Sequence, residues 1–260
     1  MKNNRSPHRP RLDGPIVIGR NAVREVVLRA PDRLVKVFTT ESLRESRDEL
    51  LKHIESLGVS LENHSRDSLT SATGTDSHQG IAAILKPREH PELREFLDAA
   101  LAKPRSLIVL LDSIYDPHNL GAILRACECF GVDGIIMSKN RGTGITATVT
   151  KSSAGASEFV PICIVSNLAQ ALGKAKDAGF TGIAADVGAG TEDLGSFGFP
   201  QYSALILGSE GEGIQPLLRK LCSRAITIRM SGAIDSLNVS QAAAVLFFAW
   251  SGLNSAEEHR

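Results

Sequence analysis

The sequence predicts an α/β protein, with a small mixed domain followed by a larger domain built on a parallel sheet. Three observations carry that prediction. From Ser106 onward, apolar strand-length runs alternate with helical patterns, the order of a sheet covered on both faces. LIVLLD at Leu107–Asp112 is a continuous apolar run, as a central parallel strand requires. The stretch Pro87–Pro104 begins and ends in proline and marks a seam between two halves of different patterning.

Taken in order, residues 1–14 read as a basic, disordered tail, because Lys2, Arg5, Arg9 and Arg11 all precede the first acid, Asp13. Residues 15–86 read as a compact α/β unit. A helix is expected over Ile16–Ala30, with Ala22, Val23, Val26, Val27 and Ala30 on one face. A strand follows at Leu34–Thr40, then one helix over Arg44–Leu57, stopped by Gly58. Val59–Glu62 and Ile81–Leu85 read as strands, with a short helix at Asp67–Ala72. Residues 87–104 read as a linker carrying an amphipathic helix, with Leu93, Phe96, Leu97 and Leu101 on one side.

The second domain is expected over residues 105–255. Helices at Pro117–Phe130, Thr146–Ala156, Asn167–Ala178 and Ile214–Leu221 alternate with strands at Gly134–Met137, Phe159–Ile164, Gly182–Ala185, Ala204–Leu207 and Ala225–Ile228. The closing helix carries AAAVLFFAW, apolar all round, which predicts burial.

Composition narrows the function classes. The chain has 260 residues, 42% hydrophobic and 22% charged, as a soluble globular protein has. Its 29 basic and 29 acidic side chains cancel, which counts mildly against a nucleic-acid binder. There is no apolar run of transmembrane length and no secretory signal, so a cytoplasmic protein without membrane attachment is expected. Cys127, Cys129, Cys163 and Cys222 form no CxxC pair; they read as reduced and buried, with no metal site. GxGxxG after a strand, GxxxxGK[ST] and GxSxG are all absent, which disfavours a dehydrogenase, a P-loop ATPase and a serine hydrolase.

Three stretches carry candidate chemistry. DSIYDPHNLGAILR (Asp112–Arg125) follows the central strand; Asp116 suits a helix N-cap and Pro117 the first helical position. Asn119 then lies among free N–H groups in the first turn, with Arg125 further along the helix. ALILGSEGEG (Ala204–Gly213) runs from a strand into three glycines interleaved with Glu210 and Glu212. Glycines there admit close approach to the backbone, and the acids suit a hydroxyl-bearing or cationic ligand better than a phosphate. ITIRMSGAIDSLNVSQAAAVLFF (Ile226–Phe248) places a polar turn of Ser231, Gly232, Asp235, Ser236 and Asn238 between a strand and a helix. Asn238 with Gln241 also fits a capping box, so capping and ligand binding both stand as readings.

Together DPHNLGAILR, LILGSEGEGI and MSGAIDSLNVSQA, in that order, resemble the three motifs of the SpoU/TrmH branch of the knotted (SPOUT) RNA 2′-O-ribose methyltransferases. The match covers Leu107 to about Gly252. The first domain, with HQG at His78–Gly80, resembles the L30e-like RNA-binding domain of some members. In layout the chain is similar to members that methylate a guanosine ribose in bacterial 23S rRNA; tRNA ribose methylation and a non-catalytic RNA-binding assembly factor are the alternatives.

The resemblance implies a deep trefoil knot in the second domain, an exception to the rule against knots. It implies S-adenosyl-L-methionine as cofactor, held by backbone groups of Gly208, Ile228 and Leu237, and a homodimer that completes each active site. Asn119, Arg125, Glu210, Ser236 and Asn238 match the family's functional residues. Arg125 is the residue matched to a base, yet a guanidinium with a pKa above about 12 offers donors only. A phosphate clamp oriented by Asn119 and Glu210 is therefore the other role open to it. Arg229 departs from the family pattern, which has proline in that step.

Overall fold

The computed structural model describes residues 13–46, 48–188, 190–232 and 236–257, with side chains described to residue 252. Most of the expected basic tail and Asp235 of the third motif lie outside them. The chain divides into two units, Met1–Glu89 with Ile145–Glu158, and His90–Gly144 with Phe159–Arg260.

The first unit opens with strand β1 (Ile16–Ile18) and helix α1 (Arg20–Arg29). A single helix had been expected there. Instead β1 pairs antiparallel with the later strand at Ile81–Leu85, and Gly19, at φ 95, turns the chain into the helix. Strand β2 (Leu34–Thr40) follows as expected. The single helix expected next is two, α2 (Glu41–Glu45) and α3 (Glu49–Ser56). Asp48 breaks it: its carboxylate accepts from Leu50 N at 2.8 Å and caps α3. Strand β3 (Ser60–His64), helix α4 (Arg66–Thr73) and strand β4 (Ile81–Leu85) complete a sheet of order β1-β4-β2-β3.

The HQG turn closes this unit internally. His78 is fully buried. Its Nδ1 accepts from Gly80 N at 2.9 Å, and its Nε2 lies 3.0 Å from Thr70 Oγ1. Burial, with Arg66 nearby, holds His78 below its ordinary value, so the neutral ring is the native form. Gln79 Oε1 accepts from Arg20 N at 2.8 Å. Gly80 sits at φ +78, and a Cβ there would lie 2.7 Å from Thr40 Oγ1, so only glycine fits.

In the second unit, helix α5 (Leu93–Leu101) buries Phe96, Leu97 and Ala100. Expected as a linker, it joins the core on one face of the sheet. Strand β5 (Ser106–Leu111), helix α6 (Pro117–Phe130) and strand β6 (Gly134–Ser138) follow. Helix α7 (Ala147–Ser152) comes next and belongs to the first unit, where it packs on β1. Sequence order had suggested that it covers the second sheet. Arg33 and Glu158, 2.9 Å apart, pair within the first unit as well.

Strand β7 (Ile162–Val165), helix α8 (Leu168–Asp177) and strand β8 (Thr181–Ala185) continue the second unit. The two-residue strand β9 (Glu192–Asp193), strand β10 (Tyr202–Leu207), helix α9 (Pro216–Leu221), strand β11 (Arg224–Thr227) and helix α10 (Val239–Glu257) complete it. The sheet order is β7-β6-β5-β10-β8-β11-β9, parallel at every pairing. Ile108, Leu110, Ile136, Ala204 and Ile206 face the core under α5, α8 and α9. Alternation turns Leu107, Val109 and Leu111 to the opposite face.

Two expectations fail here. The apolar run of α10 is not buried all round: the helix packs against α6, yet Phe248 is 64% exposed and Val245 is 38% exposed. The cysteines are all free thiols, but Cys129 is exposed and Cys222 half-buried. Burial pushes Cys163 and Cys222 up to about 11, which keeps them as thiols at neutral pH.

Candidate active site

The parallel sheet sends the ends of β5, β8, β10 and β11 to one edge. The strand order reverses direction about β5 and β10, the place where open α/β sheets gather ligands. The loops leaving that edge build the site.

After β10 the chain must fold back tightly. Ser209 and Gly213 exchange backbone hydrogen bonds at 3.2 and 3.0 Å. A Cβ at Gly208 would stand 2.2 Å from the Gly213 carbonyl carbon, so glycine here lets the turn close. The turn presents Glu210 to solvent.

Before α6, Asp116 caps the helix by accepting from His118 N at 2.8 Å, which fixes Asn119 in the first turn. Asn238 stands at the start of α10 and uses both ends of its amide. Its Oδ1 accepts from Ser240 N at 2.8 Å and Ser240 Oγ at 2.6 Å. Its Nδ2 donates to Glu210 Oε1 at 2.5 Å and to Asn119 Oδ1 at 3.0 Å. The side chain of Asn238 thus caps α10 through Ser240 rather than through a box with Gln241, and its amide nitrogen is turned to the other two motifs.

Asn119 Nδ2 also donates to Glu210 Oε1 at 3.0 Å, and Val239 N approaches the same oxygen at 3.4 Å. One carboxylate oxygen thus collects three N–H groups and joins all three motifs. Glu210 Oε2 has no hydrogen-bond partner among the described residues.

Beside this junction lies a cavity of about 360 Å³. Leu207, Ile226, Ile228, Leu237 and Leu246 are among its apolar walls; Ser209, Glu210 and Ser236 give it polar edges. Gly208, Ile228 and Leu237, singled out from the sequence, all line it. Asp186 and Val187 line it too and were missed. The available signal was position, since Asp186 is the first polar residue after an apolar strand at the ligand edge. Asp186 is held by Arg219 Nε at 2.8 Å.

Arg125 does not join the junction. It is exposed and makes no hydrogen bond or ion pair among the described residues. Six helical residues separate it from Asn119, which places it about 9 Å along α6 and about 120° around the axis. Asn119 and Glu210 therefore do not orient Arg125 within one chain.

Arg229, at the family's proline position, pairs with Asp193 at 3.3 Å and is 82% exposed. Among the described residues, no group of three or more His, Cys, Asp or Glu is placed to hold a metal ion, and no helix is long and apolar enough to cross a membrane.

Residues 106–248 match the SpoU rRNA Methylase family, and residues 16–91 match the family described as RNA 2'-O ribose methyltransferase substrate binding. A 23S rRNA (guanosine-2'-O-)-methyltransferase RlmB from Vibrio vulnificus is 35% identical over 239 residues, 91% of this chain and 96% of that protein. Two solved structures share the fold. The AdoMet-bound rRNA methyltransferase from Sinorhizobium meliloti has a TM-score of 0.72 at 21% identity, covering 90% of this chain and 85% of that one. The SpoU methyltransferase AviRb from Streptomyces viridochromogenes, in complex with AdoMet, has a TM-score of 0.72 at 20% identity, covering 92% and 89%.

Proposed function

From the SpoU rRNA methylase family, to which this chain belongs, we propose that it transfers a methyl group from S-adenosyl-L-methionine to the ribose 2′-hydroxyl of a guanosine in 23S rRNA. The observation that carries this reading is the junction of Asn119, Glu210 and Asn238 at the mouth of the cavity.

The cavity fits the cofactor on its own chemistry. Its apolar walls suit an adenine face, while the strand ends at Gly208 and Ile228 and the turn at Leu237 offer backbone groups to its polar edges. When bound, S-adenosylmethionine supplies an electrophilic methyl on a sulfonium. The residues around it position the sugar and manage its proton. Glu210 Oε2, without a donor among the described residues, accepts a hydrogen bond from the 2′-hydroxyl, while Asn119 and Asn238 keep the carboxylate from turning away. Ser236 lines the same pocket.

Arg125 clamps the phosphate beside the target ribose, or takes the proton where that site depresses its pKa. Its exposure on α6, away from the junction of its own chain, supports a site shared between two copies in a homodimer. The exposed Phe248 and Val245 on α10 support the same reading, since an uncovered apolar helix face calls for a partner. The second unit's tail threads a trefoil knot, and the first unit is an L30e-like RNA-binding domain; insertion of β11 between β8 and β9, with α10 returning to α6, supports the former. A 23S rRNA substrate places the protein in the cytoplasm.

The test is methyl transfer to protein-free 23S rRNA with mapping of the modified ribose, for the native chain, Arg125→Ala and Arg125→Lys across a pH series. A ribose-methylated guanosine is expected, with Arg125→Ala strongly impaired. Methylation of tRNA alone, or no heat on titration with S-adenosylmethionine, would overturn the reading. Native turnover by Arg125→Ala would remove either role for Arg125.

A further inference from the structure

We propose a second RNA subsite on the sheet edge, in which Tyr115 stacks the base of an unpaired nucleotide next to the target and Arg141 takes a backbone phosphate. It rests on the RNA reading above.

Tyr115 is 63% exposed, although it sits on a rigid turn. Ser113 before it adopts φ 61, a left-handed conformation rare outside glycine, and its Oγ bonds Asp112 Oδ1 at 3.1 Å. Asp112 is fully buried and anchored by Gln215 N at 2.8 Å. Ile114 is buried, and its carbonyl accepts from Thr143 N at 2.8 Å. Asp116 then starts α6. The turn is pinned on both sides of Tyr115, and the ring is held outward four residues before Asn119. Holding a large aromatic ring in solvent on a strained turn contributes nothing to the core. It is the arrangement of a stacking platform, which any base can use.

The bond from Thr143 to Ile114 also brings the loop after β6 beside this turn. Arg141, on that loop, shares a cavity of about 220 Å³ with Ser138, Ser166, Asn167 and Gln215. No carboxylate is among its lining residues, and Arg141 has no ion pair among the described residues. The cofactor cavity, by contrast, carries Glu210 and Asp186. An unpaired guanidinium over hydroxyls and carboxamides suits an anion with several acceptor oxygens. The order β6-β5-β10 sets the Arg141 loop, Tyr115 and the Glu210 turn at successive strand ends, about 5 Å apart per strand. A single strand leaving the target ribose would cross them in turn.

The test uses the full chain and protein-free 23S rRNA. Tyr115→Ala should raise KM for the RNA about tenfold, with kcat and the affinity for S-adenosylmethionine unchanged, and Tyr115→Trp should restore it. Arg141→Ala should lower the slope of log affinity against log salt by about 0.7, the contribution of one phosphate on a single strand. Arg141→Lys should keep the slope. A native KM in Tyr115→Ala, or a native slope in Arg141→Ala, while the native enzyme methylates the RNA, would overturn the subsite alone. Loss of cofactor affinity in either variant would show a structural role and overturn it too. If the native chain methylates no RNA, the functional reading fails first and the subsite with it.

Discussion

Two polar, glycine-bearing turns in this chain look alike on paper and are used in opposite ways. In HQG of the first unit, both ring nitrogens of His78 have partners, Gln79 accepts a backbone N–H, and Gly80 fills its space. No polar atom of the His78 ring is left over. In GSEGEG of the second unit, Gly208 and Gly213 close a turn in the same way, but Glu210 is pushed out with one oxygen saturated and the other free. A cavity opens beside it. Glu210 is exposed at the cavity rim, so its free oxygen is open to a ligand, whereas the buried His78 ring has nothing left to offer one.

The comparison breaks most easily at Glu210. Glu210→Ala should cut single-turnover methyl transfer by about a hundred- to a thousandfold, the usual cost of deleting one preorganised electrostatic group. A loss within tenfold would demote the junction to a structural tie. Next in size is Gly208→Ala. Its Cβ meets backbone, not a side chain that can swing away, so overpacking should cost about 1–3 kcal/mol in chemical denaturation. Titration calorimetry should show cofactor affinity weakened at least about tenfold as the cavity wall shifts. Unchanged binding would mean the turn is not part of the pocket.

On the other side of the comparison, His78→Ala should destabilise the chain by about 1–3 kcal/mol while leaving cofactor affinity intact, because it orphans Gly80 N and Thr70 Oγ1. The native protein should also show the histidine in its pH response. With the folded pKa below the ordinary 6.5, the unfolded chain binds more protons below that pH. Stability from this group is therefore complete above about pH 6.5 and declines as the pH falls toward the folded pKa. Thermal melts of the native chain and His78→Asn should diverge above pH 6.5 and converge below it; parallel curves would refute the neutral-ring account. The smallest effect is expected for Arg229→Pro. The Asp193 pair it removes is solvent-exposed, so stability should change by no more than about 1 kcal/mol and cofactor affinity hardly at all.

Sequence alone determined the elements with strong local signals. Pro117–Phe130 and Ile81–Leu85 agree to the residue with α6 and β4, because a capped proline start and a short apolar run each specify themselves. The three motif stretches were legible from residue type and order, and the resemblance they carry singled out Asn119, Glu210 and Asn238 within them. What only the tertiary structure decided is where partners lie far apart in the chain. Ile16–Ile18 is a strand because β4 supplies its ladder, some sixty-five residues on. Helix α7 serves the first unit, and α10 leaves Phe248 uncovered, since helical periodicity gives a face but not its neighbour. Asp186 and Val187 entered the cavity wall through parallel pairing of β8 with β10 and β11. Arg125 parted from Asn119 because positions six apart on a helix lie about 120° apart around its axis. Local propensity is written residue by residue, whereas pairing across the chain is settled by which surfaces bury each other.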